Sequence, residues 1–242
     1  MGDTLLPPRC TACQAALADP GAPGLGRYAC NRCMALFQEQ PKVRCRRCGL
    51  ALGPRPQAFG WTHCRHCRPL LQDPECKPLD CVVCCDYTPP FDQWIALLKY
   101  GNNPGLARFM AHWMALELTQ SDHELPDVLV PVPSSMKRLK QRGYNQAALI
   151  AMHLGDAIAR PVEKCSLIKV REAGAQAELD RRDRLKNLQG AFQATRAFPA
   201  RLHIGLVDDV ITTGATTQSC VEALYKAGAQ RITILAICRT PE

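Results

Sequence analysis

Residues 203–219 read HIGLVDDVITTGATTQS. A short apolar run ends in two adjacent aspartates, followed by threonines around one glycine and then a stretch with helical spacing. The run LHIGLV suits a strand buried on both faces, with Asp208 and Asp209 at its carboxyl end. The loop Thr212-Thr213-Gly214-Ala215-Thr216 leads into the helix ATTQSCVEALYKAG, which Gly228 stops. Unpaired backbone N–H groups and the positive end of the helix dipole suit such a loop to a phosphate. Thr212, Thr213 and Thr216 add hydroxyl donors, and Gly214 is free to take a left-handed turn. The spacing and lysine of a P-loop are missing, so the phosphate is expected to be anchored rather than transferred. Two carboxylates beside it suit the vicinal hydroxyls of a sugar, and a ribose 5-phosphate satisfies both halves. The plainer alternative is a capped helix after a strand, with two solvated aspartates.

Outward from this stretch, FDQWIALLKY, LARFMAHWMALEL and NQAALIAMHLGDAIA carry helical spacing of apolar residues. DVLVPV, SLIKV and RITILAIC read as short strands. Strands that alternate with helices, most of them continuous apolar runs, predict an α/β fold: a parallel sheet with helices on both faces. In such sheets ligands sit beyond the carboxyl ends of the strands, where Asp208 and Asp209 fall.

The other half of the chain differs in texture. Of 15 cysteines in 242 residues, most precede residue 86. Cys10 and Cys13 form one C-x-x-C unit, Cys30 and Cys33 a second, Cys45 and Cys48 a third, and Cys64 and Cys67 a fourth. Two thiolates on a tight turn grip one side of an ion, and a second such turn completes a tetrahedron. The expectation is two structural zinc ions in a double ribbon spanning residues 1–75, ahead of a domain at 76–242. An iron–sulfur cluster, or one filled site beside a degenerate one, remains the alternative. So short a segment buries little apolar core, so metal would supply much of its folding free energy. Chelation is then expected to unfold residues 1–70 and spare the rest. Cys76, Cys81, Cys84 and Cys85 lie in or near a strand-like run, DCVVCCDY, where core packing is favoured over a third metal.

The formal net charge is +8. Residues 40–70 carry Lys42, Arg44, Arg46, Arg47, Arg55, Arg65 and Arg68 and no Asp or Glu, with Phe59 and Trp61 among them. Such a face suits single-stranded nucleic acid through phosphate contacts and stacking, or is a solvated basic surface. No apolar run approaches the ~18 residues of a membrane span, and MGDTLLPPRC lacks the features of a signal peptide. The expected setting is the cytoplasm, without membrane insertion; oligomeric state is not legible.

LVDDVITTGATT resembles the signature of type I phosphoribosyltransferases, which bind phosphoribosyl pyrophosphate (PRPP). Taken with the C-x-x-C units, DYTPPFDQWIALLKY, VPVPSSMKRLKQRGYNQ and QAELDRRDRLKNLQGAF, nearly the whole chain resembles the ComF family, GntX-like proteins included. The resemblance implies zinc ribbons ahead of a phosphoribosyltransferase-like domain. It implies that Asp208 and Asp209 hold ribose hydroxyls, and that Thr212, Thr213, Gly214, Ala215 and Thr216 hold the 5-phosphate. It also implies a pyrophosphate loop of Pro133, Ser134 and Ser135, with Arg142, Gly143, Asn145 and Gln146 matching the family's following run. Lys137, Arg138 and Lys140 suit an anionic ligand. The polar segment around Gln176, Arg184 and Asn187 resembles the mobile loop that closes over the reacting centre, with Ala173 where a threonine is expected. The implied chemistry is magnesium-dependent displacement of pyrophosphate at the anomeric carbon, toward an unknown acceptor. PRPP sensing without turnover is the alternative. The implied setting is competence and DNA uptake, with single-stranded DNA or uptake-machinery proteins as partners.

Overall fold

The computed structural model describes residues 8–19, 21, 24–101, 103–171, 188 and 190–242. Four parallel strands form the main sheet in the order β1-β6-β5-β2: β1 (Leu79–Asp86), β2 (Val128–Pro131), β5 (His203–Ile211) and β6 (Arg231–Arg239). These strands are the continuous apolar runs, buried almost throughout, as a sheet covered on both faces requires. Gly205 lies where β5 is squeezed between its neighbours: a Cβ there would meet Leu129 Cδ2 at 2.7 Å and Pro126 Cγ at 2.9 Å. The SLIKV run becomes β3 (Leu167–Lys169), outside this sheet, in an antiparallel pair with β4 (Phe192–Ala194). The short run that forms β4 carries too little pattern to be read from sequence.

Helices cover both faces. After the short helices α1 (Asn31–Gln38) and α2 (Pro54–Ala58), one face receives α3 (Phe91–Tyr100), α4 (Gly105–Gln120) and α6 (Gln146–Ile158). The short α5 (Met136–Arg142) precedes α6. The other face receives α7 (Ala215–Lys226) and the β3–β4 pair. The chain leaves β2 for α6 on one face and leaves the adjacent β5 for α7 on the other. Reversals of this kind open a crevice beyond the carboxyl ends of the two strands in open α/β sheets, here those of β2 and β5.

The composition boundary near residue 75 is not a break in packing. Phe37 of α1 lies 4.1 Å from the ring centre of Trp113, 5.3 Å from Phe109 and 5.9 Å from Trp94. Cys10, Leu17, Leu25 and Cys33 belong to the same buried cluster as α3, α4 and α6. The segment of the first four cysteines thus shares the main core. The second four centre on a small cluster of their own, Cys45, Leu50, Leu52, Cys64 and Cys67. Cys81, Cys84 and Cys85 are buried in β1.

With the core shared in this way, loss of metal should be felt beyond residue 75. Stripping metal should change the fluorescence of buried Trp94 and Trp113, which an independent ribbon would leave untouched. Phe37→Ala should cost about 3–5 kcal/mol in denaturant unfolding, the usual range for a large aromatic removed from a core. A loss under 1 kcal/mol would show that α1 is only laid against the surface.

Candidate functional site

The carboxyl end of β5 extends further than its apolar run. Asp208 and Asp209 lie inside the strand, Asp208 opposite Ala236 of β6, and both are buried. Asp209 N–H donates to Asp208 Oδ1 at 2.9 Å, and Val210 N–H donates to Asp209 Oδ1 at 2.9 Å. The alternative of two solvated aspartates is therefore excluded. Lys99, in the last turn of α3, places Nζ 2.8 Å from Asp209 Oδ2. Asp208 faces the α7 side, where its charge helps push the buried Cys220 thiol up, after burial itself. Burial, and then the charge of Asp209, hold the Asp208 carboxyl well above the usual range. Of the two acids, then, one is ion-paired and the other is biased toward its neutral form.

After Ile211 the chain turns through Thr212 and Thr213 into α7. Gly214 takes φ +82° at the N-cap, the left-handed conformation that glycine allows without a steric penalty. Thr213 Oγ1 accepts from Ala215 N–H at 3.4 Å, and Thr217 Oγ1 donates to the Gly214 carbonyl at 2.9 Å. Thr212 is exposed, and Thr213, Gly214 and Thr216 are partly so.

Across the crevice, Pro133, Ser134 and Ser135 follow β2. Ser135 caps α5, with Arg138 N–H donating to its Oγ at 3.3 Å. Asn145 caps α6 and ties the loop down: its Nδ2 donates to the Val132 carbonyl at 3.0 Å, and Ser134 Oγ donates to its Oδ1 at 3.1 Å. Gly143 takes φ +79° at the end of α5, which turns the chain between the two helices. Arg142 donates to Gln146 Oε1 at 3.2 Å and to the Tyr100 hydroxyl at 3.0 Å. Among the described residues, the buried Arg142 Nε and Gln146 Nε2 have no hydrogen-bond partner. Two such donors beside one loop are what an anionic ligand would satisfy.

Sequence reasoning missed the end of α3 as part of this site. Lys99 reaches Asp209, Tyr100 reaches Arg142, and the Leu98 carbonyl accepts from the Tyr144 hydroxyl at 2.6 Å. A basic residue in the last turn of a helix was a weak signal for it, because such residues usually only offset the helix dipole. Gln176, Arg184, Asn187 and Ala173 lie outside the described residues.

Both cysteine sets close into clusters. Cys10, Cys13, Cys30 and Cys33 form one, and Cys45, Cys48, Cys64 and Cys67 the other, with all sulfurs of a set within 4.8 Å of one another. Cys13 and Cys30 sulfurs are 3.6 Å apart, and those of Cys48 and Cys64 are 3.7 Å apart. Zinc–sulfur bonds of about 2.3 Å in a tetrahedron set sulfurs roughly 3.8 Å apart, so both sets fit zinc. Without a cation the thiols cannot all ionise. Hydrogen bonds from Cys48 and Cys67 hold Cys45 far below the thiol range, while the same sharing pushes Cys48 up to about 12.

The basic run of the second ribbon divides in two. Arg44 turns inward to Asp86 at 2.8 Å, Arg46 lies 3.9 Å from Asp80, and Arg47 donates to the Lys77 carbonyl at 3.2 Å. Arg55, Arg65 and Arg68 stay exposed. Phe59 and Trp61 stack at the surface with centroids 5.4 Å apart, and the Arg68 guanidinium lies 3.9 Å over the Trp61 ring.

The raised Asp208 carboxyl has a consequence for stability. A carboxyl with a folded-state pKa above its unfolded value of about 3.9 contributes fully below that value. The contribution is lost as pH rises through the folded-state pKa. Asp208→Asn should therefore raise the melting temperature of the ligand-free protein at pH 7 by a few degrees, at roughly 2–4 °C per kcal/mol for this size. The gain should shrink toward pH 4. An equal melting temperature at pH 7 would show that the charge is already compensated.

No family model matches the chain. The DNA utilization protein YhgH of Escherichia coli K12 is 29% identical over 240 residues, covering 97% of this chain and 98% of that protein. Competence protein F of Haemophilus influenzae is 30% identical over 217 residues, covering 87% and 90%. Competence protein ComFC of Bacillus subtilis matches over a shorter stretch, 32% over 101 residues, covering 42% of this chain and 39% of that protein. Among solved structures, glutamine PRPP amidotransferase from Bacillus subtilis, complexed with ADP and GMP, overlays 53% of this chain and 25% of its own at 22% identity, with a TM-score of 0.35. With paired four-cysteine clusters ahead of a parallel α/β sheet, and identity to competence protein F along nearly its whole length, the chain belongs to the ComF family.

Proposed function

We propose that the crevice between β2 and β5 binds a ribose 5-phosphate carrying pyrophosphate, that is PRPP, and that the protein serves the handling of incoming single-stranded DNA. The observation that carries the first part is the buried Asp208–Asp209 pair beside the left-handed Gly214 loop, at the point where the chain reverses faces. Asp208 and Asp209 accept from the ribose hydroxyls. Thr212, Thr213, Ala215 and Thr216 present hydroxyls and backbone N–H groups to the 5-phosphate around Gly214. Ser134, Ser135, Arg142 and Gln146 face the pyrophosphate, drawing on the unsatisfied Arg142 Nε and Gln146 Nε2.

Among the described residues, only the two cysteine sets bring three or more metal-ligating groups together. A magnesium ion would therefore be held chiefly by oxygens of the ligand itself, and it would offset the charge of departing pyrophosphate. The protein's own contribution is positioning, with Lys99 orienting Asp209 through their ion pair. Turnover, displacement of pyrophosphate at the anomeric carbon, rests on the segment of Gln176, Arg184 and Asn187. A PRPP-sensing role needs only the crevice.

Calorimetric titration of the zinc-loaded protein with PRPP and magnesium tests the crevice. Asp208→Asn with Asp209→Asn should weaken binding at least about 100-fold, at about 1.5–3 kcal/mol per hydrogen bond to a charged group. Retained affinity in the double variant would remove the ribose from these acids.

The relatives named for DNA utilization and competence support the second part. Within this chain it rests on the exposed Phe59–Trp61 stack under Arg68. Arg44 and Arg46 are engaged with the sheet, so the informative substitutions are Trp61→Ala and the pair Arg65→Ser and Arg68→Ser. Losing a stacked base should cost about 1–3 kcal/mol of affinity for single-stranded DNA. Each lost phosphate contact should lower the salt slope by about 0.7. Unchanged slope and affinity would leave the stack as a surface feature only.

A further inference from the structure

We infer that Arg239 is a positioning residue that ties the threonine loop to the second cysteine cluster, so that metal at this cluster, and not at the first, sets the loop's conformation. The inference rests on the loop being the phosphate site proposed above.

Arg239 ends β6 and is 4% exposed. Among the described residues, its side-chain hydrogen bonds all go to backbone carbonyls. Nη1 donates to Ile211 at 3.1 Å, to Thr212, and to Thr240 at 3.1 Å. Nε donates to Cys48 at 3.2 Å. One planar guanidinium therefore spans the last residues before Gly214 and the backbone of a cluster cysteine. Direct packing leaves space between these two parts. A cavity of about 680 Å³ opens there, bounded by Cys48, Cys67, Thr213, Gly214, Thr217 and Arg239.

A buried cation held only by neutral carbonyls needs an anion nearby. Cys81 of β1 lines the same cavity as Cys48, Cys67 and Arg239, so these groups share one neighbourhood. Arg44 is ion-paired with Asp86, which stands opposite Arg239 in the β1–β6 register. Four thiolates around zinc carry a formal charge of about −2. That charge would compensate Arg239 across the gap. Loss of the ion frees the turn Cys45–Cys48 that presents the Cys48 carbonyl, and so releases Arg239 from its anchor. The first cluster packs in the core formed with α3 and α4, and none of the hydrogen bonds of Arg239 reaches it.

Amide hydrogen exchange of the full-length zinc-loaded protein, followed by mass spectrometry with no ligand present, tests this. Cys67→Ser (second cluster), Cys33→Ser (first cluster) and Arg239→Met are compared with the unmodified chain, and metal content is measured in each. The amides whose hydrogen bonds hold the loop, Ala215 N–H to Thr213 Oγ1, Gln218 N–H to the Gly214 carbonyl and Thr240 N–H to the Ile211 carbonyl, should exchange at least about 10-fold faster in Cys67→Ser and in Arg239→Met, the latter with both ions retained. Cys33→Ser should leave them near the unmodified rate. Arg239→Lys keeps the charge but cannot reach the Cys48 and Thr212 carbonyls together, and should give intermediate exchange. Loop protection that survives loss of the second ion, or falls equally with the first, overturns the inference. If Cys67→Ser also loses protection in residues 204–207 of β5, Arg239→Lys decides: unmodified loop exchange overturns the inference, and faster exchange confined to the loop supports it. Absence of PRPP binding by the unmodified protein would instead overturn the ligand assignment, leaving this exchange pattern still readable.

Discussion

Two adjacent carboxylates buried at the end of a central strand are expensive, and much of the surrounding architecture answers that cost. β5 has neighbours on both sides, so its carboxyl end cannot turn to water for relief. Asp209 is answered by Lys99, and Asp208 by a shift toward its neutral form. The answer from Lys99 requires α3 to end at the crevice, and α3 is held there by Tyr144 through the Leu98 carbonyl and by Arg142 through Tyr100. The same loop that would face pyrophosphate thereby fixes the cation that balances the acids. Stability is given up at the acid pair, as is common where a site must receive a ligand.

The cysteine clusters do a different job from that of an appended ribbon. A short segment with little apolar content cannot hold itself together by burial alone, and a metal at these clusters would replace the missing core. The first cluster nonetheless contributes Phe37 and its neighbours to the core under α3 and α4. The second keeps a separate small core and meets the sheet through polar contacts, Arg44 to Asp86 and Arg239 to Cys48. One is joined by dispersion and the hydrophobic effect, the other by directional hydrogen bonds and charge together with the close approach of Gly49 to Val83.

The basic run of residues 40–70 shows how composition can mislead about surface. Seven cations without an acid look like one continuous face. Folding turns Arg44, Arg46 and Arg47 toward the sheet, sets the exposed Lys42 beside Glu117 of α4, and leaves Arg55, Arg65 and Arg68 outside with the two aromatic rings. The acids that Arg46 and Arg44 meet, Asp80 and Asp86, come from β1, beyond the window in which charge is counted.

The amino-acid sequence alone determined the local grammar of this protein. Continuous apolar runs made the parallel strands, C-x-x-C spacing made the cysteine clusters, and the sequence around Gly214 made a turn that accepts a left-handed residue before a helix. Each of these depends on neighbours a few residues apart, or on a repeated ligand unit, so each can be read in order along the chain. The antiparallel β3–β4 pair escaped because β4 is only three residues of weak pattern. Lys99, Tyr100 and Arg239 escaped because their roles depend on which helix end or strand end comes to lie beside β5. Arg239 left a trace, a charge closing the apolar run RITILAICR, but its meaning waited on the carbonyls of Cys48 and Thr212. Long-range juxtaposition is set by sheet order and by the faces the crossovers take, and no local pattern encodes it. Only the tertiary structure decided that the acids are buried, which cation balances them, and which cysteine cluster Arg239 joins to the loop beside them.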